Sequence, residues 1–276
     1  MKIRSTERGY SFADKLEAEI PFYNLQGLTM DGNKKFTAGI EAVEFKEDEE
    51  IDLNSIFTVD SWSGKYILCK ELGIPLYLIV YKHDEDQIRI YEVNVTDGQL
   101  SFYTHSRKSE NDFCDWFASI KGTIQTKPLY EADPRKSFFD NLIESKGISW
   151  GGNIDSYVIG EDEKVECIIE TRLSNRSSVQ DYDPARYFKG TYRKRGDYNT
   201  WEPLFMLASR LEIPLFLITF SRTTNQDIAG FSTLHTMSKE SIQYRDSTPN
   251  NNVLRGVEAV QKELVRKMGA SPPKIL

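Results

Sequence analysis

WSGKYILCKELGIPLYLIVY, residues Trp62–Tyr81, returns without a gap as WEPLFMLASRLEIPLFLITF, residues Trp201–Phe220. Eight of the twenty positions are identical and three more exchange tyrosine for phenylalanine, so a chance likeness of two connections is the weaker explanation. In each copy the apolar spacing predicts a helix, a proline then prevents the helix from continuing, and an apolar run predicts a buried central strand. We therefore predict the duplication of a domain of about 130–140 residues.

The segments around the two copies predict the same order of elements. Each half reads α-β-β-α-β with a further strand after the repeated block, and we place the boundary so that the units are residues 1–127 and 128–276. A helix with apolar periodicity is predicted at the end of the second unit. The predicted helices are Ser11–Asn24, Pro134–Ser145 and Leu254–Met268, and the predicted strands are Gly27–Met30, Thr37–Phe45, Gln87–Asn94, Gly152–Ile159, Lys164–Leu173 and Ile228–Leu234.

The composition, 39% hydrophobic and 28% charged, is typical of a soluble globular protein, and no apolar run is long enough to span a membrane. The start is too polar for a secretory signal and the three cysteines show no CxxC spacing, so we expect a cytoplasmic location. Three isolated histidines disfavour a zinc hydrolase or a histidine-based triad. The net charge of −7 gives no general attraction to nucleic acid, which a local basic cluster must then supply.

Candidate chemistry lies on two predicted strands of the second half. Asp155 falls in the first strand, and Glu170 and Arg172 fall in the next. Glu170 and Arg172 are two apart and share a strand face. Pairing of the strands could bring Asp155 and Glu170 together as a hard-oxygen site suited to Mg²⁺ or Mn²⁺. The cation at Arg172 could then contact a scissile phosphate or the attacking water.

This order of helix, Asp strand, Glu-x-cation strand, helix and apolar strand resembles the PD-(D/E)xK superfamily of nucleases. The resemblance implies an α/β fold of two tandem restriction-endonuclease-like α-β-β-α-β units, each a mixed central sheet flanked by helices. It implies Mg²⁺- or Mn²⁺-dependent hydrolysis of nucleic acid, with Asp155 and Glu170 as metal ligands and Arg172 where the family has lysine. An acidic residue of the preceding helix, Asp140 or Glu144, would add to the site. Arginine can orient groups or stabilise charge but is a poor base.

The first half contains a Glu-x-Lys of its own, at Glu44 and Lys46. Its partner carboxylate is open at the level of the sequence. Asp31 is the nearest upstream, but it lies in a predicted turn, and the position that matches the second-half aspartate falls near Gln26. An alternative alignment sets Glu41 against that aspartate, and Glu44 is then no ligand.

A basic segment lies between the Glu170 strand and the second repeated block. Residues 186–195 read RYFKGTYRKR, with five cations and three aromatics. Cations neutralise phosphates and tyrosines stack on bases, so we predict contact with nucleic acid, against the alternative of a solvated loop balanced by nearby aspartates. The residues predicted to bind nucleic acid are Arg186, Lys189, Arg193, Lys194 and Arg195.

The sequence therefore favours a metal-dependent endonuclease of the restriction or defence type, acting on nucleic acid and most simply on DNA. The alternative is a catalytically inactive, nuclease-derived scaffold that binds nucleic acid or protein, and a third reading is a purely structural protein that keeps the fold alone. No membrane partner is expected, and assembly as a homodimer is left open.

Overall fold

The computed structural model describes residues 11–20, 22–47, 49–83, 85–121, 136–148, 151–174, 177–189, 197–221 and 227–276. The fold is mixed α/β and divides into two compact units. Residues 25–153 form one, here the central unit, and the residues up to 24 together with 154–276 form the other, the terminal unit. None of the helices in the described ranges has the length and apolar character that crossing a membrane requires.

The elements follow one another with the repeat visible in their order. Short 3₁₀ turns at Val179–Asp181, Pro184–Tyr187 and Pro249–Asn251 accompany them. In chain order the elements are α1 (Ser11–Glu19), β1 (Phe22–Met30), β2 (Phe36–Phe45), α2 (Leu53–Ile56), α3 (Val59–Leu72), β3 (Leu76–Lys82), β4 (Ile88–Thr96), β5 (Gln99–Lys108), α4 (Glu110–Lys121), α5 (Phe138–Ser145), β6 (Gly152–Ile159), β7 (Val165–Ser174), α6 (Tyr198–Arg210), β8 (Leu215–Ser221), β9 (Ile228–Met237), β10 (Ile242–Tyr244), β11 (Val253–Arg255), α7 (Val257–Lys267) and β12 (Lys274–Ile275).

The strands of the central unit run in the order β1-β2-β3-β4-β5. β2 and β3 are parallel, joined by the crossover through α3, and the other neighbours are antiparallel. α3 ends at Gly73, whose φ of +67° is left-handed and favours glycine. α3 covers one face of the sheet, where Gly39 allows close approach of the Cys69 side chain. α4 and α5 cover the other face.

The strands of the terminal unit run in the order β10-β9-β8-β7-β6, with β11 and β12 also paired to β9. β7 and β8 are parallel, and α6 makes their crossover, while the short β12 also runs parallel to β9. The repeated sequence blocks are therefore equivalent in structure, since each supplies the crossover helix and the second strand of a parallel pair. Each sheet is mixed and flanked by helices, while the restriction-endonuclease-like character of the units stays a prediction.

The helices α1 and α5 pack on the half of the chain to which sequence order does not assign them. On α1, Phe12 and Leu16 are buried in the terminal unit against strand residues that include Phe216. On α5, Phe139 and Ile143 are buried in the central unit. The division between residues 127 and 128 concerns the sequence repeat and stays a prediction. In the structure, α1 of the first half packs in the terminal unit and α5 of the second half packs in the central unit.

Candidate functional site

Strand register identifies the counterpart of Glu170 in the central unit. Glu170 on β7 is paired with Leu217 on β8, and Glu41 on β2 is paired with Leu78 on β3. Leu78 and Leu217 occupy the same position of the repeated block. Glu41 is therefore the structural equivalent of Glu170, and the two carboxylate residues are buried to a similar degree, with 6% and 4% exposed.

Gln26 stands across from Glu41 in the central unit. The β1–β2 ladder pairs Gly27 with Ile40, and one further step in this register sets Gln26 opposite Glu41. Gln26 Oε1 accepts a hydrogen bond from the backbone N–H of Ala42 at 2.9 Å, and Glu41 Oε1 accepts one from the backbone N–H of Gln26 at 3.0 Å. Side-chain oxygens thus take the place of backbone carbonyls here, at the point where the paired ladder ends.

Asp155 stands in the same place in the terminal unit. The β6–β7 ladder pairs Ser156 with Ile169, so the next step sets Asp155 opposite Glu170. Asp155 Oδ2 accepts hydrogen bonds from the backbone N–H of Thr171 at 3.1 Å and from its hydroxyl at 2.7 Å. The bond from the residue after the glutamate is therefore repeated in both units, and it identifies Gln26 as the counterpart of Asp155.

Each glutamate has a cation beside it, and the two cations come from different elements. In the central unit, Lys65 of α3 places its Nζ 2.8 Å from Glu41 Oε1, and only 2% of the lysine side chain is exposed. In the terminal unit, Arg172 of β7 places its Nε 2.9 Å from Glu170 Oε1. The repeat sets Leu204 at the position of Lys65, so a helix provides the charge in one unit and a strand provides it in the other.

Arg172 is held in a more open setting than Lys65. Its guanidinium lies 5.0 Å from the ring centroid of Trp201, a cation–π contact, and 23% of its side chain is exposed. Its Nη2 is 4.0 Å from Asp197 Oδ2. Neither Nε nor Nη2 has a well-directed hydrogen-bond partner among the described residues. The contact with Glu170 is therefore an ion pair, and the N–H groups at Nε and Nη2 can still donate hydrogen bonds.

The strand face that carries Glu170 and Arg172 continues as a buried polar surface. Thr219 on β8 is the register partner of Arg172, and its Oγ1 has no hydrogen-bond partner among the described residues. Gly230 on β9 comes next, and a Cβ there would lie 2.4 Å from that hydroxyl oxygen, so the position needs glycine. Ser232 donates to the carbonyl of Ser247 at 2.6 Å. Polar groups thus extend inward from the glutamate–arginine pair.

The donor set of the terminal unit fits a hard divalent cation better than that of the central unit. Asp155 and Glu170 are two carboxylates on facing strand positions, whereas the central unit has one carboxylate and one amide. Within the described ranges no group of three or more His, Cys, Asp and Glu side chains could hold a metal ion. Mg²⁺ is commonly held by one or two carboxylates, with water and substrate phosphate as its other ligands, so two carboxylates meet its need.

Glu44 and Lys46 do not join the Glu41 position. Glu44 lies three residues after Glu41 and therefore points to the opposite face of β2. Its Oε1 accepts a hydrogen bond from the backbone N–H of Phe139 at 3.4 Å, on the side covered by α5. Lys46 follows the strand, is exposed, and uses its backbone N–H to bind Glu49 Oε2 at 2.8 Å. The role of Glu44 and Lys46 in catalysis stays a prediction.

The helix acids Asp140 and Glu144 pack in a different compact unit from the one that contains Asp155. Asp140 and Glu144 belong to α5, which packs within the central unit. The backbone N–H of Asp140 donates to the Ser137 hydroxyl that caps the helix, and Glu144 forms an ion pair with Lys136 at 2.5 Å. This helix precedes the Asp155 strand only in the order of the chain.

Two cations of the basic segment, Arg186 and Lys189, lie within the described residues. Arg186 lies exposed on a 3₁₀ turn, and Lys189 Nζ forms an exposed ion pair with Glu240 at 2.7 Å. The backbone N–H of Asp197 donates to the carbonyl of Phe188 at 3.0 Å, and the Asp197 carboxylate is the one that lies 4.0 Å from Arg172 Nη2. Arg193, Lys194 and Arg195 lie outside the described residues.

The three cysteines are free and buried. Burial raises the pKa of Cys69 to about 12, with the negative charge of Glu41 acting in the same direction, and it raises the pKa of Cys167 to about 12 and that of Cys114 to about 11. At pH 8 all three are therefore protonated, and a protonated, inaccessible thiol is a poor nucleophile.

We expect a thiol-reactive disulfide reagent at pH 8 to modify none of the cysteines in the native protein. Three thiols per chain should react once the protein is unfolded in urea. The measurement is a colorimetric time course with free cysteine as the rate standard. A native thiol that reacts as fast as free cysteine would contradict the burial described above.

No protein-family model, curated protein or solved structure matches the chain. The sequence resemblance to the PD-(D/E)xK nucleases stays a prediction.

Proposed function

We propose that the chain is a divalent-metal-dependent phosphodiesterase that cleaves nucleic acid, most simply DNA, with its active site at Asp155, Glu170 and Arg172. The observation that carries the proposal is the register of β6 and β7, which, continued by one residue, sets Asp155 opposite Glu170, while Arg172 forms an ion pair with Glu170. The equivalent position of the central unit has Gln26 in place of the aspartate, and we assign this position a structural role.

Asp155 and Glu170 would hold Mg²⁺ or Mn²⁺ through carboxylate oxygens. The ion would supply Lewis-acid polarisation of the phosphodiester. Thr171 keeps the Asp155 carboxylate oriented by two hydrogen bonds, from its backbone N–H and its hydroxyl. Such supporting bonds fix the direction in which a ligand presents its oxygens.

Arg172 would bind the phosphate that is attacked. Its guanidinium offers several donors in one plane, which suits a phosphate with developing negative charge. The Trp201 ring fixes the guanidinium on one side, and the ion pair with Glu170 fixes it at Nε. Arg172 is thus suited to orient the substrate and to stabilise charge rather than to take a proton.

The central unit lacks the charge that a divalent ion requires. Gln26 is neutral, and Lys65 neutralises Glu41 at 2.8 Å in a buried pair. Gln26, Glu41 and Lys65 together therefore carry no net negative charge that would attract a cation, and the Lys65 side chain is buried.

A non-enzymatic nucleic-acid-binding scaffold is the second candidate. It is favoured by the internal contacts of the terminal site, because Asp155 is bonded to Thr171 and Glu170 is paired with Arg172. In this case the basic segment would bind nucleic acid without cleaving it.

Cleavage of plasmid, linear and single-stranded DNA and of RNA, with Mg²⁺, Mn²⁺ or EDTA, tests the proposal. We expect metal-dependent cleavage by the wild type and a loss of at least about 100-fold in Asp155→Asn, since a metal ion contributes several kcal/mol of transition-state stabilisation. An amide oxygen can still accept the Thr171 hydrogen bonds, as Gln26 does from Ala42 in the central unit. The variant should therefore fold normally.

A thermal unfolding curve that matches the wild type is the control for that variant. Equal cleavage by the wild type and Asp155→Asn would assign the activity to another site or a contaminant. Binding of nucleic acid without cleavage in every metal would favour the scaffold.

A further inference from the structure

Tyr187 presents an unusually exposed aromatic ring. Of its surface 62% is accessible, while most large apolar residues of the described chain are covered. Its ring stacks on that of Tyr182, with centroids 6.2 Å apart and planes inclined by 29°. One face of the Tyr187 ring therefore packs against the ring of Tyr182.

The tyrosine pair belongs to the neighbourhood of Arg172. Burial raises the pKa of Tyr182, and the positive charge of Arg172 acts in the opposite direction, as a nearby cation does. The next residue after Tyr187, Phe188, is buried and packs edge-on against Trp201 at 5.8 Å. Trp201 is the ring beneath the Arg172 guanidinium, so one packed cluster positions both the arginine and the tyrosines.

The segment that carries the tyrosines is fixed by a buried carboxylate. Asp183 Oδ1 accepts a hydrogen bond from the backbone N–H of Ala185 at 3.0 Å and another from the hydroxyl of Tyr244 at 2.7 Å. These bonds tie the 3₁₀ turn to β10 of the same unit. An aromatic ring that is ordered before binding loses little conformational entropy when a flat ligand stacks on it.

We propose that Tyr187, supported by Tyr182, is a stacking platform for an unpaired base of single-stranded nucleic acid whose backbone passes Arg172. The inference rests on the proposed function and names its substrate class. Exposed aromatics beside cations are the usual means of binding single strands, because every base offers a flat face and every phosphate a charge. Arg186 and Lys189 are exposed on either side of Tyr187 and supply such cations. The bases of a duplex are stacked on one another and leave no face for the ring.

Fluorescence anisotropy with labelled oligonucleotides tests the platform. The probes are a single-stranded DNA, a single-stranded RNA, a duplex, and a DNA of the same length that contains abasic sites, all in EDTA so that none is cleaved. The proteins are the wild type, Tyr187→Ala, Tyr187→Phe and the matched control Tyr103→Ala. Tyr103 lies on β5 of the central unit and is 61% exposed, so it controls for loss of an equally accessible tyrosine.

We expect Tyr187→Ala to weaken binding of intact single strands about 10-fold or more, the effect of losing one stacked base. Tyr187→Phe and Tyr103→Ala should bind like the wild type. The abasic probe should bind the wild type and Tyr187→Ala equally, because it offers no base to stack. The single strand, DNA or RNA, whose affinity Tyr187→Ala lowers more is the one that the platform prefers.

Three outcomes would overturn the platform: no binding of single strands by the wild type, no loss in Tyr187→Ala, or an equal loss with the abasic probe. These outcomes are separate from the proposed function, because binding in EDTA requires no catalysis. Cleavage that is lost in Asp155→Asn would stand even if the platform failed.

Discussion

Lys65→Met is expected to lower the free energy of unfolding by about 3–5 kcal/mol. The substitution removes the only cation that the structure places against Glu41 within the described ranges at ion-pair distance, 2.8 Å. Glu41 is 6% exposed and would keep an uncompensated charge inside the central unit. The penalty arises from this stranded carboxylate, because methionine fills nearly the volume of the lysine stem. Urea unfolding followed by tryptophan fluorescence and circular dichroism measures the effect.

The matched control is the double substitution Glu41→Gln with Lys65→Met. It removes both charges, keeps an acceptor for the backbone N–H of Gln26, and should recover most of the lost stability. The second copy of the repeat shows that this helix position accepts an apolar side chain, since Leu204 occupies the position of Lys65. If the double variant were as unstable as Lys65→Met, packing of the lysine stem rather than charge pairing would explain the loss.

A fragment of residues 22–148 is expected to fold, whereas a fragment of residues 22–127 is not. The two differ in the segment that contains α5, whose buried side chains complete the core under β2, β3 and β4. Loss of a buried phenylalanine, leucine or isoleucine costs about 2–5 kcal/mol each, and a domain has only about 5–15 kcal/mol in total. The side chains missing from the shorter fragment are Phe139, Leu142, Ile143 and Ile148.

Near-ultraviolet circular dichroism and amide NMR dispersion distinguish the two fragments. Addition of a synthetic peptide of residues 136–148 to the shorter fragment should restore the native spectrum, and a peptide with Phe139→Ala should restore it poorly. Cooperative unfolding of the 22–127 fragment alone would contradict the assignment of α5 to the central unit.

The repeated blocks were the most predictable part of the fold. The helix, the proline and the apolar strand of each block are local signals, and the structure places α3, β3, α6 and β8 where they predict. The strand Gly152–Ile159 has the predicted bounds. The first predicted helix was too long, because α1 ends at Glu19 and Phe22 already begins β1. Pro21 interrupts the helical pattern at this point.

The counterpart of Asp155 was placed near Gln26 from the sequence, as the structure has it, but the counterpart of Glu170 could not be identified there. Identifying Glu41 with Glu170 requires the parallel register of β2 with β3, and motif spacing favoured Glu44 instead. Lys65 was missed because a lysine in a helix is usually exposed, and only the packing of α3 shows it buried. A sequence signal existed, since the other copy has an apolar residue, Leu204, at this position.

The unit on which α1 and α5 each pack could not be predicted from the sequence either. Both halves contain an amphipathic helix before their strands, and either sheet offers an apolar face that such a helix could cover. The choice depends on the path of the chain between elements, which periodicity does not encode.

The rate of Mg²⁺-dependent nucleic acid cleavage by two matched variants shows which unit holds the active site. Glu170→Gln alters the terminal unit, and the double variant Glu41→Gln with Lys65→Met alters the equivalent position of the central unit. We expect the first to lose at least about 100-fold in rate and the second to cleave like the wild type. A loss in the double variant with full activity in Glu170→Gln would contradict the account and place the active site in the central unit.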